Sequence, residues 1–168
     1  MSVVIKDTNH IDKVIRNLKQ LGGKQIKVGL FGSDDSELVM IGAVHEYGAE
    51  IRVTPRMRAW FAYQGYPLKK ETTVIRIPER SWLRSGFDEN IDKIAKKIEE
   101  MVPEVLECNV NPKLFMDAIG MEFAGLIQKK MRALKEPPNS SMTIERKGSD
   151  NPLIDTGRLV GSIRHEVE

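Results

Sequence analysis

Apolar residues recur along the chain with two periods, and the switches between them mark its elements. Ile11, Val14, Ile15, Leu18 and Leu21 fall at helical spacing, with Asp7 or Thr8 placed to cap the segment and Gly22-Gly23 to end it. A short strand is expected before it, over 2–5. Across 25–31, Ile26, Val28 and Leu30 alternate with Gln25, Lys27 and Gly29, the period of a half-buried strand. Gly32 and Ser33 turn the chain, and Asp34 to Ser36 can cap a second helix that runs through Leu38, Ile41, Ala43 and Val44 to His45 and stops at Gly48. Beyond Ala49 the pattern changes. Ile51, Val53 and Pro55 predict a short extended piece, and the β-branched stretch 72–77 predicts a strand closed by Pro78, which has no N–H to give a ladder. Between them stand Trp60, Phe61, Tyr63 and Tyr66, so 51–77 reads as a hairpin-like excursion carrying an aromatic turn or short helix.

Two longer helices follow. Ile91, Ile94, Ala95, Ile98, Met101, Val102, Val105 and Leu106 form the clearest amphipathic stripe, and Pro103 inside it predicts a kink or break near 99–102. Pro112 suits a first helical position, and a helix from Lys113 to about Leu134 turns Phe115, Ile119, Phe123, Leu126, Ile127 and Leu134 toward the core. Residues 137–150 are polar and read as a flexible loop that orders on a partner. Pattern returns with Pro152-Leu153-Ile154, then Asp155 or Thr156 capping a short helix through Leu159 and Val160, and a terminal strand over 163–167. These elements predict an α+β fold, a single domain over 1–168 in which a small mixed or antiparallel sheet packs against two or three long helices.

Length and charge sharpen this picture. The chain has 168 residues, enough for one core of ordinary size. Its 26 basic and 24 acidic residues leave a net +2, but the charge is laid out in blocks: +4 over 1–31, −5 over 32–51, +6 over 52–84, −4 over 85–112, +3 over 113–135 and −2 over 136–168. A nucleic-acid reader concentrates positive charge on one surface, where each neutralised phosphate adds affinity. Alternation fits subunits that meet plus to minus, or simply a solvated surface. No uncharged apolar run nears the roughly 20 residues of a membrane span, and the first twelve residues lack the order of a secretory signal. A soluble protein made in a cytoplasm, with no membrane partner, is expected.

Candidate chemistry is sparse. Cys108 is the only cysteine and the three histidines are scattered, which excludes an internal disulfide and a cysteine-based zinc cluster and leaves no expected metal site. His45-Glu46 opens like a zincin motif, but position 49 is Ala where a second His is needed. Gly29-x-x-Gly32 follows a strand without Gly-Lys-Ser/Thr or a full GxGxxG, and reads as a turn. Cys108 reads as packing, and pairs such as Asp34-Asp35 or Glu99-Glu100 have no catalytic spacing. No catalytic residue and no cofactor is expected. Trp60, Phe61 and Tyr63 stand among Arg52, Arg56 and Arg58, a mix that suits either a stacking platform for single strands or a protein–protein hot spot. Aromatics on an excursion too short to own a core must pack on something, which favours a neighbouring subunit.

Three segments then occur in order. They are Ile41-Gly42-Ala43-Val44-His45-Glu46-Tyr47-Gly48, Ile77-Pro78-Glu79-Arg80-Ser81-Trp82-Leu83-Arg84, and Asn151-Pro152-Leu153-Ile154-Asp155-Thr156-Gly157-Arg158-Leu159-Val160-Gly161-Ser162-Ile163. Together they resemble the neck and tail-completion proteins of tailed bacteriophages, also called virion morphogenesis proteins or minor tail components. Ser81 and Trp82 replace the Pro and Phe usual in that family's second element. The resemblance implies a virion structural protein, present in the host cytoplasm during assembly. It would form a homo-oligomeric, hexameric ring at the head–tail junction, against connector and tail-tube or tail-terminator proteins. A tail-terminator ring capping the tail tube is the alternative within the class, and a neck-channel protein with non-specific contact to DNA the alternative outside it. On that reading Arg80, Trp82, Arg84, Asp155, Thr156 and Arg158 join Arg52, Arg56, Arg58, Trp60, Phe61 and Tyr63 as expected interface residues. The same motifs also have a purely architectural reading, in which Pro78 fixes the backbone, Trp82 and Leu83 plug an apolar gap, and Asp155 and Thr156 cap a helix.

Overall fold

The computed structural model describes residues 10–33 and 35–168. Its elements are α1 (Ile11–Leu21), β1 (Ile26–Gly29), α2 (Ser36–Tyr47), β2 (Ala49–Arg52), α3 (Pro55–Tyr63), β3 (Val74–Ile77), α4 (Leu83–Asp88), α5 (Ile91–Leu106), α6 (Pro112–Ala133), α7 (Ser141–Lys147), α8 (Arg158–Gly161) and β4 (Arg164–Val167). The fold is α+β, and its strands form two separate ladders, β1 with β4 and β2 with β3. The strand expected over 2–5 and the caps expected from Asp7, Thr8 and Asp34 lie outside the described residues. The described residues gather into two compact units: the segment ending at Val28 with Asn90–Ala124 and Arg164–Glu168, and Gly29–Glu89 with Gly125–Ile163.

In the first unit the periodic stripes become the core, with Ile94, Val105, Phe115, Ile119 and Phe123 all buried. Pro103 does not end α5, which runs on to Leu106. The carbonyl that loses its donor is that of Glu99, an exposed residue, where water can replace the missing N–H. α1 is tied to α5 by a polar side chain. Asn17, buried, donates from Nδ2 to the Val105 carbonyl at 2.8 Å and to Cys108 Sγ at 3.5 Å, while Ile15 and Leu18 of the apolar stripe stay exposed. Gln25 and Glu168 exchange backbone hydrogen bonds in both directions, at 2.9 and 3.0 Å, the signature of an antiparallel pair. A Cβ at Gly120 would stand 2.4 Å from His165 Cδ2, so glycine lets β4 approach α6.

The second unit is organised around α2. Asp35 caps it, Oδ1 accepting from Glu37 N at 3.0 Å and Leu38 N at 3.2 Å. Leu38, Gly42 and Glu46, spaced four apart, are its buried face. A Cβ at Gly42 would lie 2.5 Å from Leu30 Cδ1 and 3.4 Å from Trp82 Cζ2, so the helix packs its backbone against the indole. Gly48 then turns the chain at φ 73°, where a Cβ would meet the Ile77 carbonyl at 2.9 Å and Glu79 N at 3.0 Å. This close pass sets the antiparallel register of Ala49 with Ile77, Glu50 with Arg76, Ile51 with Ile75 and Arg52 with Val74. Between the two strands, Thr54 caps α3 through Met57 N, with Pro55 in its first turn.

Two C-terminal expectations are corrected. Residues 137–150 contain a helix, α7, whose Ser140 hydroxyl accepts from Thr143 N and whose end is closed by left-handed Gly148. α8 is not capped by an Asp155 or Thr156 side chain: Gly157, at φ 81°, occupies the N-cap position, and Thr156 Oγ1 only accepts from Arg158 N at 3.4 Å.

Candidate functional site

The first two sequence segments meet at one buried carboxylate. Glu46, 3% exposed, projects from the last turn of α2 toward the start of α4. Oε1 accepts from the Ser81 hydroxyl (2.9 Å), Arg84 N (3.1 Å) and Arg84 Nε (2.9 Å), and Oε2 accepts from Trp82 N and Leu83 N, both at 2.8 Å. Those backbone N–H groups are the unpaired donors of a helix start, so α2 supplies the N-terminal cap of α4. Burial pushes the Glu46 carboxyl upward, but the bonds from Leu83, Arg84 and Ser81 outweigh it and hold the group below the ordinary carboxylate value. Arg84 completes the clamp: its guanidinium donates to the Glu46 carbonyl at 3.2 Å and to Glu79 at 2.6 Å, and lies over the Tyr47 ring at 4.8 Å.

Trp82 and Arg80 are internal in the described chain, which fits the architectural reading of these motifs rather than the interface one. Trp82 is 2% exposed, and its Nε1 donates to the Gly42 carbonyl at 3.2 Å. Arg80 is 4% exposed because its fork is used on the chain itself: Nε on the Pro137 carbonyl at 2.6 Å, and a terminal nitrogen on the Pro138 carbonyl at 3.0 Å and Asn139 Oδ1 at 3.3 Å. It straps the segment between α6 and α7 to the strand end after β3. Arg58, half-buried, also spends its guanidinium on the chain, donating to the carbonyls of Leu68, Lys69 and Thr72 and closing the loop after α3.

The third segment reaches the same neighbourhood. Asn151, buried, donates to the Arg132 carbonyl at 2.8 Å and accepts from Leu153 N at 3.0 Å, while Lys147 donates to the carbonyls of Asn151 and Pro152. Arg158 pairs with Asp35 at 2.8 Å, joining the start of α8 to the cap of α2. Asp155, Thr156 and Arg158 line a cleft with His45. The His45 imidazole is pushed down to about 4 by burial, then by Arg80 and Lys147, and is neutral at pH 7.

What stays outside is the β2–α3–β3 excursion. Tyr63 is 87% exposed and Trp60 41%, with Trp60 edge-on to Phe61 and Arg146 of α7 over its ring at 5.4 Å. Tyr66, the last of its aromatics, hydrogen-bonds Glu145 of α7. Many blocks of opposite charge pair within the chain, as in Arg76 with Glu50 and Lys130 with Glu89. Exposed Arg52, Arg56, Lys69 and Lys70 of the excursion have no ion-pair partner among the described residues. Glu46 is the residue that sequence reading passed over. Its signal was a carboxylate in line with Leu38 and Gly42 on an otherwise apolar face.

Among the described residues no group of three His, Cys, Asp or Glu side chains is placed to hold a metal ion, and no helix is long and apolar enough to cross a membrane. Comparison with family models, with curated proteins and with solved structures finds no match to the chain.

Proposed function

We propose that this chain is a virion structural subunit of a tailed bacteriophage, a neck or tail-completion component that assembles six at a time into a ring at the head–tail junction. The observation that carries the reading is the division of labour among its residues. Glu46 joins the first two resembling segments, Arg80 straps the second to the link before α7, and Arg158 ties the third to Asp35 at the cap of α2; this frame holds out an excursion whose Tyr63, Trp60, Arg52 and Arg56 face solvent. Large aromatics with arginines are the residues that dominate protein–protein contacts, and unpaired cations seek acidic partners. The exposed acids Glu99, Glu104 and Glu107 near the end of α5 supply such a surface on a second copy, a heterologous pairing of the kind that closes into rings. Neighbouring connector and tail-tube or tail-terminator proteins would meet the ring above and below, and a tail-terminator ring would use the same surface.

Sedimentation velocity tests the reading. Wild-type protein is expected to sediment as a closed oligomer that loosens as salt rises, and Tyr63→Glu with Arg56→Glu to sediment as a folded monomer. A wild-type chain that is monomeric at every concentration overturns it. The same unpaired cations beside Tyr63 also favour a second reading, contact with DNA in the neck channel. Salt-dependent DNA binding by an isolated monomer, lost in Arg56→Glu, would select that reading instead.

A further inference from the structure

A cleft of about 350 Å³ opens between α2, α7 and the turn before α8, and it contains polar atoms with nothing to bond. Asn139 Oδ1 accepts from Arg80, which fixes the amide so that Nδ2 points away from the guanidinium; that Nδ2 is buried without a partner among the described residues. His45 Nδ1, on the same cleft, is likewise buried and unpartnered. Lys147 gives two of its three hydrogens to the carbonyls of Asn151 and Pro152 and retains one. The charge around these nitrogens is mainly positive, with Lys147 in the wall and Arg80 behind Asn139. Asp155 is exposed at the mouth, and Arg158 is already paired with Asp35. The rest of the wall is apolar, formed by Leu38, Ile41, Leu153 and Leu159.

A buried donor without an acceptor is uncommon in folded proteins, and Asn139 Nδ2 beside the remaining Lys147 hydrogen marks the place of an oxyanion. We propose that this cleft binds a carboxylate carried on an apolar stem, the oxygens taken by Asn139 and Lys147 and the stem by Leu38, Leu153 and Leu159. A phosphate would meet the nitrogens and leave the apolar wall bare, and an alcohol would do the reverse. The carboxylate belongs either to a free aliphatic acid or to an acidic residue beside an apolar one on a neighbouring polypeptide.

Calorimetric titration of the full chain with sodium hexanoate, 1-hexanol and sodium phosphate tests the site, whether or not the protein forms a ring. Hexanoate is expected to bind saturably in the millimolar range, with hexanol and phosphate each weaker by about tenfold or more, the scale of a lost charge-assisted hydrogen bond or a lost apolar contact. Asn139→Asp keeps an oxygen toward Arg80 but sets a negative charge where the donor stood, and should weaken hexanoate at least as much. Lys147→Met, which keeps the length of the side chain, gives an independent second variant, and thermal melts establish that both are folded. No saturable hexanoate binding, equal binding of hexanol, or unchanged binding in both folded variants overturns the proposal. If hexanoate also dissociates assembled particles, the natural carboxylate comes from a neighbouring polypeptide; if particles persist with hexanoate bound, it comes from a free acid.

Discussion

Replacing Glu46 by Gln keeps the shape of the side chain and removes one acceptor oxygen, which makes it a sharp probe of the frame. Glu46 takes three donors on Oε1 and two on Oε2. In the variant an NH2 group must face either the Trp82 and Leu83 amides or the Ser81 and Arg84 donors, so two bonds to a charged acceptor are lost at best, at about 1.5 kcal/mol each. The rest weaken as the remaining oxygen becomes neutral, bringing the cost to about 4 kcal/mol, in the range for breaking a buried pair. Arg84 is half exposed and keeps Glu79, so its share is small. For a chain of this length that is a fall in melting temperature of roughly 10 °C. Guanidinium unfolding followed by tryptophan fluorescence measures it, with Glu79→Gln as the control, expected to cost little because both groups of that pair meet solvent. Since the folded state holds the Glu46 carboxyl below its unfolded value of 4.5, the stabilisation is fully present above that pH and is lost as the pH falls through the lower folded value. Wild type and variant should therefore converge in acid. A cost for Glu46→Gln below about 1 kcal/mol, or equal to that of Glu79→Gln, would refute the view that Glu46 holds α4.

His45 binds its proton near 4 when folded against 6.5 when unfolded, so stability should fall as the pH drops from 6.5 toward 4, by about 3 kcal/mol, and His45→Gln should flatten that limb in urea unfolding at stepped pH. Trp82→Ala removes a large buried side chain and its bond to Gly42, and should cost about 3–5 kcal/mol in denaturant unfolding. Gly48→Ala sets a Cβ 2.9 Å from the Ile77 carbonyl at φ 73°, so it should cost about 2 kcal/mol or more and be visible as a melting-temperature loss, whereas Gly65→Ala, with open space around it, should show only the left-handed backbone strain of about 1 kcal/mol.

How much of this was legible in the sequence follows from physical scale. α5 and α6 were plain because a stripe repeated over several turns outweighs single exceptions, and even Pro103 did not end its helix. The β2–α3–β3 excursion was equally plain, its limits fixed by Gly48 and Pro78. α7 was hidden because seven mostly polar residues have too few turns to show a period, although Ser140 and Gly148 stood at its ends as caps. The stripe of α1 marks a helix, but spacing cannot say which part of it is covered: the anchor is Asn17, at the flank of the stripe beside half-buried Val14 and Leu21, while Ile11, Ile15 and Leu18 stay exposed. At the site, the sequence places Arg80, Trp82 and Arg84 in one short segment but does not decide between an interface and an apolar gap inside the fold, and Arg80 and Trp82 turn inward. That outcome depends on Glu46, 36 residues before Trp82, and on the Pro137 and Pro138 carbonyls, 57 and 58 residues after Arg80. Pairings at that separation are decided by the packed chain.

Whether the frame joins copies of one chain, as proposed, is tested most directly by electron micrographs of the purified protein at low salt. Closed rings of uniform subunit number are expected, and they should disappear in the folded Tyr63→Glu, Arg56→Glu variant. A field of dispersed monomers from wild-type protein at high concentration, or rings unaffected by that variant, would contradict it.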